Sequence, residues 1–197
     1  WRENKVKIGT GTTDCNSNRL RLEVASSGDI RIGKKAKEIW VGYYFYVPNT
    51  PENFKDKLLQ PYITQFYSVN RKGGQTVGGY APQFSASIYN GKLSIEGNHV
   101  IDEKKLKGKW HKVEFNIRYS KQYDGFIKVY INDELKVNRS GFKTASHDYV
   151  DIKYGTYSHP EYGGASYPEG YQFPSHTIYF AGFSMNKNRS KLKISKK

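Results

Sequence analysis

Cysteine occurs once, at Cys15, and methionine once, at Met185. A lone thiol excludes an intrachain disulfide framework and any zinc site built from several cysteines, and it does not decide the compartment. Proline is sparse at 7 residues and the 19 glycines follow no fixed period, which sets aside collagen-like and Pro/Gly-rich disordered chains. No window approaches the ~18 uninterrupted apolar residues of a membrane span. Acidic residues are also short: 18 Asp and Glu face 32 Lys and Arg, a formal charge of +14. That excess predicts attraction to polyanions, whether nucleic acid, anionic lipid or acidic polysaccharide. Six of the cations (Lys187, Arg189, Lys191, Lys193, Lys196, Lys197) lie in the acid-free segment from Asn186 to Lys197, so most of the bias belongs to the body.

What is plentiful is aromatic bulk. Tyr 17, Phe 10 and Trp 3 supply 15% of the 197 residues, a composition that favours sheet and argues against a helical bundle. The length suits about one domain. Period-two alternation recurs from end to end, as half-buried strands require. In Arg19 to Val24 the apolar side is Leu20, Leu22 and Val24; in Lys112 to Ser120 it is Val113, Phe115, Ile117 and Tyr119. Further strands are predicted over Glu38–Val47, Tyr62–Val69, Gln83–Tyr89, Lys92–Glu96, Gly125–Ile131, Glu134–Val137, Tyr149–Tyr157 and Thr177–Met185. Asn90-Gly91 is a strong two-residue hairpin signal and Asn132-Asp133 a second tight turn.

Helical signals are few. Thr50 as N-cap and Pro51 at the first helical position open a short stretch to Leu59, and Glu103 to Lys107 adds a turn. About ten antiparallel strands in one domain imply two sheets packed face to face, an all-β sandwich or jelly roll of the concanavalin A-like kind. Asn70–Ala81 and Ser158–Ser175 are read as long loops. The domain is placed at residues 1–185, and 186–197 as a basic C-terminal tail.

The five histidines (His99, His111, His147, His159, His176) show no metal-ligand spacing and are read as surface or loop residues. The Gly73-Gly74…Gly78-Gly79 stretch does not link a strand to a helix, so it is read as a loop beside a groove and not as a phosphate cradle. Three strands are more informative. Arg21 and Glu23 share a face, as do Gln65 and Tyr67, and Tyr149, Asp151, Lys153, Gly155 and Tyr157 share another. A polar strand face carrying Arg, Gln, Lys and several Tyr is unusual for a purely structural sheet. Gly155 between Lys153 and Tyr157 would let something approach the backbone.

The order R-x-E, Q-x-Y, then Y-x-D-x-K-x-G-x-Y resembles the jelly-roll polysaccharide lyases, which include alginate, glucuronan and heparin lyases, with the heparin-lyase-like branch nearest. Trp110-His111-Lys112-Val113 and the following Asp124-Gly125-Phe126 to Asn132-Asp133 are similar to further segments of that family. The likeness runs from Arg19 to Met185, and it departs at Tyr67, where the family usually has His. It implies cleavage of an acidic, uronate-containing polysaccharide by β-elimination. Such chemistry needs donors that neutralise the carboxylate, a base for the C5 proton and an acid for the leaving oxygen. By resemblance, Tyr157 is base and acid, Gln65 and Arg21 hold the carboxylate, Lys153 tunes Tyr157, and Tyr67 stands in for the histidine. A tyrosine titrates near ~10, and a neighbouring cation lowers that value. Arg19, Glu23, Asn116, Arg118 and Tyr149 are candidate substrate-binding residues.

The implied enzyme needs no organic or redox cofactor, and a structural calcium is left open. A secreted monomer is expected, with a signal segment removed before Trp1, no membrane span, and no nucleic-acid partner. Two rival readings remain at this level: a non-catalytic, lectin-like carbohydrate-binding sandwich, and a basic nucleic-acid-binding domain.

Overall fold

A computed structural model describes residues 20–25, 30–31, 36–50, 60–73, 75–78, 82–158 and 176–196. The described strands form two antiparallel sheets, as the alternation predicts. The first sheet has the order β1 (Leu20–Ala25), β12 (Tyr149–Ser158), β4 (Tyr62–Lys72), β6 (Pro82–Tyr89), β7 (Lys92–Ile95), β8 (Asn98–Ile101). The short β2 (Ile30–Arg31) adds to β12, and β5 (Gln75–Gly78) adds to β4. The second sheet runs β11 (Glu134–Phe142), β10 (Gly125–Ile131), β9 (Trp110–Tyr119), β3 (Lys37–Tyr46), β13 (Tyr179–Asn186). One helical turn, α1 (Glu103–Leu106), buries Leu106.

The inner faces follow the pattern read from the sequence. Val113, Phe115, Ile117 and Tyr119 of β9 are all fully buried, and Phe66, Ile152, Phe84 and Ala86 meet them from the first sheet. Burying each large apolar side chain contributes about 1.5–3 kcal/mol. Phe66 makes the central contact, with ring centroids 4.6 Å from Phe84 and 4.9 Å from Phe115 on the facing sheet. Tyr154 of β12 stacks on Phe183 of β13 at 4.5 Å, and the buried Tyr43 hydroxyl bonds the Thr64 hydroxyl across the core. Burial pushes the Tyr43 phenol well above its ordinary value, so it stays neutral there. These contacts fix β4 and β12, and with them the residues that point the other way.

Both predicted tight turns have the left-handed backbone that a two-residue hairpin demands: φ is 49° and 74° at Asn90-Gly91, 51° and 72° at Asn132-Asp133. Four expectations change. Leu22 and Val24 are 67% and 56% exposed: among the described residues β1 stands at the end of its sheet, paired on one side only. The stretch from Asn70 is not simply a loop, since β4 continues to Lys72 and pairs with β5. His111 is buried, not superficial: its Nε2 donates to the Leu106 carbonyl at 3.0 Å and its ring stacks on Phe45. Glu96 starts a tight turn with φ 51° that the sequence pattern did not show. The expected helix from Pro51 to Leu59, and the loop beyond Ser158 through Ser175, lie outside the described residues.

The segment after β13 lies along the outer face of the second sheet. Arg189 donates to both oxygens of the buried Glu114 carboxylate, at 3.2 and 2.7 Å, and sits over the rings of Trp40 and Tyr130. Lys196 lies over Tyr44.

Candidate active site

The chemistry-bearing residues of β4 and β12 occupy neighbouring register positions on the face turned away from the core. Phe66 and Ile152 are Cα partners and point inward, so Gln65 and Tyr67 of β4, with Asp151 and Lys153 of β12, point outward. Lys153 pairs with Gln65, and Gln65 in turn with Ser85 of β6; on the other side Lys153 pairs with Ala25 of β1. Asp151 pairs with Tyr67. One step along, Arg21, Tyr157 and Tyr62 fall in a single cross-strand row that continues to Ser87. Glu23 is the register partner of Gly155.

The side chains then interlock. The Lys153 ammonium lies 4.6 Å above the Tyr67 ring, within the range of a cation–π contact. Tyr157 is buried and stacks on Tyr62, with centroids 6.3 Å apart. Arg71 and Asp151 form a 2.7 Å ion pair beside them, both side chains largely covered. Gln65 is 2% exposed, and its side-chain carbonyl oxygen has no hydrogen-bond partner among the described residues. Leaving a buried amide oxygen unpaired costs about 1–3 kcal/mol.

Two irregularities shape the row. A register shift between Tyr62 and Thr64 turns Tyr62 outward, although plain alternation from Gln65 would turn it into the core. On β12 a shift falls between Tyr154 and Tyr157, and Gly155 there has φ 138°. A Cβ on Gly155 would stand 2.1 Å from the Leu22 carbonyl oxygen. What the missing side chain admits is therefore the backbone of β1, not a ligand.

The structure brings Gln65, Tyr67, Lys153 and Tyr157 together, puts the backbone of Arg21 and Glu23 beside them, and places Tyr149 further along β12. Asn116 and Arg118 are elsewhere. Both lie on the outer face of β9 in the second sheet, where Asn116 donates to Glu38 at 2.9 Å and Arg118 pairs with Asp124 at 2.8 Å. Alternation identified their face correctly but carries no information about which sheet a strand joins. Arg19 lies outside the described residues. Tyr62, Arg71 and Asp151 join the site without having been singled out for it; only Asp151 carried a signal, its phase with Lys153.

Among the described residues no group of His, Cys, Asp and Glu has the proximity to hold a metal ion, and no helix is long and apolar enough to cross a membrane. The fold is similar to that of an endo-beta-1,4-glucuronan lyase from the fungus Trichoderma reesei, with a TM-score of 0.64 and 15% identity over 89% of this chain and 78% of that one. It is also similar to alginate lyase vAL-1 from Chlorella virus (TM-score 0.52, 12% identity, 77% and 72% covered). Alginate lyase AlyC3 matches at TM-score 0.52 with 12% identity, over 85% and 70%. At these identities the likeness speaks for the fold. No curated protein matches the chain in sequence. The polysaccharide lyase family profile matches residues 3–184, nearly the whole chain and every strand of the candidate site, and the chain thus belongs to the polysaccharide lyase family.

Proposed function

We propose that the chain cleaves a uronate-containing polysaccharide by β-elimination on the outer face of β4 and β12. The observation that carries this reading is the register of Gln65, Lys153, Tyr67 and Tyr157 on two paired strands, with the buried Gln65 amide among them. The Gln65 amide nitrogen supplies the donors that a uronate carboxylate requires, and the unpaired amide oxygen accepts from a sugar hydroxyl. Hydrogen bonds from Gln65 and charge from Arg21 stabilise the enolate that forms when C5 loses its proton. The tyrosine oxygen takes the proton, the C4–O4 bond breaks, and C4=C5 becomes the double bond of the new end. The same hydroxyl then returns a proton to the departing oxygen, provided proton and leaving group share one side of the ring.

Tyr157 is assigned this dual role, and Tyr62 holds its ring in place by stacking. A second reading has its own support. The cation expected to serve Tyr157 lies over Tyr67, where it favours negative charge on that phenol and suits a base in the place of the family's histidine. The two tyrosines would then divide base and acid between them.

Phenylalanine substitutions decide between these. Turnover is followed by the ultraviolet absorbance of unsaturated uronate ends on glucuronan and alginate, and binding by native gels containing the polymer. Under the first reading Tyr157→Phe abolishes turnover and keeps binding, whereas Tyr67→Phe loses less than the ~10²–10⁴-fold typical of a proton-transfer group. Equal, complete loss in both variants selects the divided roles. Full activity in Tyr157→Phe refutes the assignment, and binding with no unsaturated product from any uronate polymer selects the lectin-like alternative.

A further inference from the structure

The outer face of the second sheet carries an aromatic row that the chemistry above does not use. Tyr179, Tyr46 and Trp110 are consecutive Cα partners across β13, β3 and β9. Phe45, Phe180 and His111, their chain neighbours, turn toward the core, so the three rings point outward. Ring centroids step 6.1 Å from Tyr179 to Tyr46 and 5.5 Å from Tyr46 to Trp110, with interplanar angles of 45° and 42°. Tyr179 is 53% exposed, and Tyr46 and Trp110 are half-buried.

A row of open rings at the rim of a sheet contributes little to a core. Aromatic faces that combine apolar area with a polar tip are suited to stacking on the C–H faces of pyranose rings. Each step along the row is close to the length of one sugar unit in an extended chain. The tilt between successive rings suits a polymer whose units turn relative to one another. The charge nearby has the sign that a uronate chain requires: on the same strand, one outward position along, Tyr44 carries the Lys196 ammonium 4.9 Å above its ring. Two carboxylates of the same sheet, Glu114 of β9 and Asp133 of the turn after β10, are already tied to Arg189 and Lys112.

We infer that Tyr179, Tyr46 and Trp110 form a second, non-catalytic binding surface for a short stretch of acidic polysaccharide, on the sheet opposite the candidate active site. Its occupant is the same class of polymer proposed as substrate, and only the ligand's charge rests on that reading. Such a surface would keep the enzyme on a long chain between cleavages, while adding nothing for fragments too short to reach it.

The test uses the full chain with Tyr179→Ala, Trp110→Ala and Lys196→Ala. Retention in native gels cast with glucuronan or alginate is measured beside turnover of polymer and of a tetrasaccharide. Tyr179→Ala, on an exposed edge position, serves as the variant that keeps its fold, which thermal melting verifies. The expected result is a three- to tenfold rise in KM for polymer and weaker gel retention in Tyr179→Ala and Trp110→Ala. The kcat, and all turnover of the tetrasaccharide, stay unchanged. Lys196→Ala weakens retention by the acidic polymers but not by a neutral β-1,4-glucan. Unchanged polymer retention and KM in a folded Tyr179→Ala overturns the inference. So does a dimer in sedimentation that Tyr179→Ala dissociates, because a second copy then covers the row. Failure of the lyase reading looks different: no unsaturated ends form on any polymer, yet the gel shift still depends on Tyr179.

Discussion

Replacing Arg189 by alanine should expose how the C-terminal segment is held. Its guanidinium forks onto Glu114, with Nε 3.2 Å from one carboxylate oxygen and Nη2 2.7 Å from the other. The Glu114 side chain is only 5% exposed, in the middle of the outer face of β9. Hydrogen bonds to a charged group contribute about 1.5–3 kcal/mol, and the contacts with Trp40 and Tyr130 add roughly 0.5–1 kcal/mol each at a half-open site. Two effects reduce the total. Arg189 is 37% exposed, so solvent screens part of the pair, and Lys112 stays 3.4 Å from the Glu114 carboxylate after the arginine is gone. A loss of about 2–3 kcal/mol is expected for Arg189→Ala. At about 2–4 °C per kcal/mol for a chain of this size, the melting temperature falls by roughly 4–12 °C. Scanning calorimetry reads this directly. Arg189→Lys should recover less than half, since an ammonium cannot fork. Adding Glu114→Gln to Arg189→Ala should cost less than the two single losses summed, because the buried charge left with Lys112 alone is gone. A fall below 1 °C, or strictly additive losses in the double variant, would refute the claim that the pair anchors this segment.

Acid sensitivity is the next expectation. Burial, with Lys109 nearby, holds the His111 imidazole below its ordinary value of 6.5. The unfolded chain therefore binds the proton more readily, so this contribution is whole above pH 6.5 and is lost as pH falls through the folded value. Urea midpoints measured over that range should slope downward toward acid, and His111→Gln should flatten the slope; an unaltered slope would remove His111 as its cause. Gly155→Ala should unpair β1 from β12, given a Cβ 2.1 Å from the Leu22 oxygen and φ 138°, with loss of both stability and turnover. Native melting and full activity in that variant would show that the close approach is relieved without effect on the site.

Much of the fold was legible because a half-buried strand imposes period two on its side chains. The alternation of Lys112 to Ser120 states which residues face inward, and each of Val113, Phe115, Ile117 and Tyr119 is buried. Turn chemistry was equally readable, since Asn-Gly and Asn-Asp tolerate positive φ. Elements held by backbone pairing alone left no such trace. The β5 strand contributes only Gln75, Thr76, Val77 and Gly78 to a hairpin, too short a run to show an alternation. Leu22 and Val24 show the converse error: their pattern is that of a buried side, but an edge position decides their exposure.

The site divides along the same line. Phase placed Gln65 with Tyr67 and Asp151 with Lys153, because one face of a strand follows from counting by two. Phase could not say that β12 lies beside β4 while β9 lies in the other sheet, which is why Asn116 and Arg118 were grouped with residues they never meet. Nor could it reveal the shift at Tyr62 to Thr64 that turns Tyr62 onto Tyr157. The pairing of Lys153 is the most consequential case. Along its own strand the nearest same-face tyrosine on the Gly155 side is Tyr157, two positions beyond that glycine, and intrastrand spacing made it the partner. A sheet, however, brings diagonal neighbours on adjacent strands within reach of a long side chain. Lys153 has Gln65 directly across and Tyr67 diagonally, and its ammonium settles on the Tyr67 ring. Intrastrand spacing thus identified the cation and both phenols, while only interstrand register determines which phenol feels the charge.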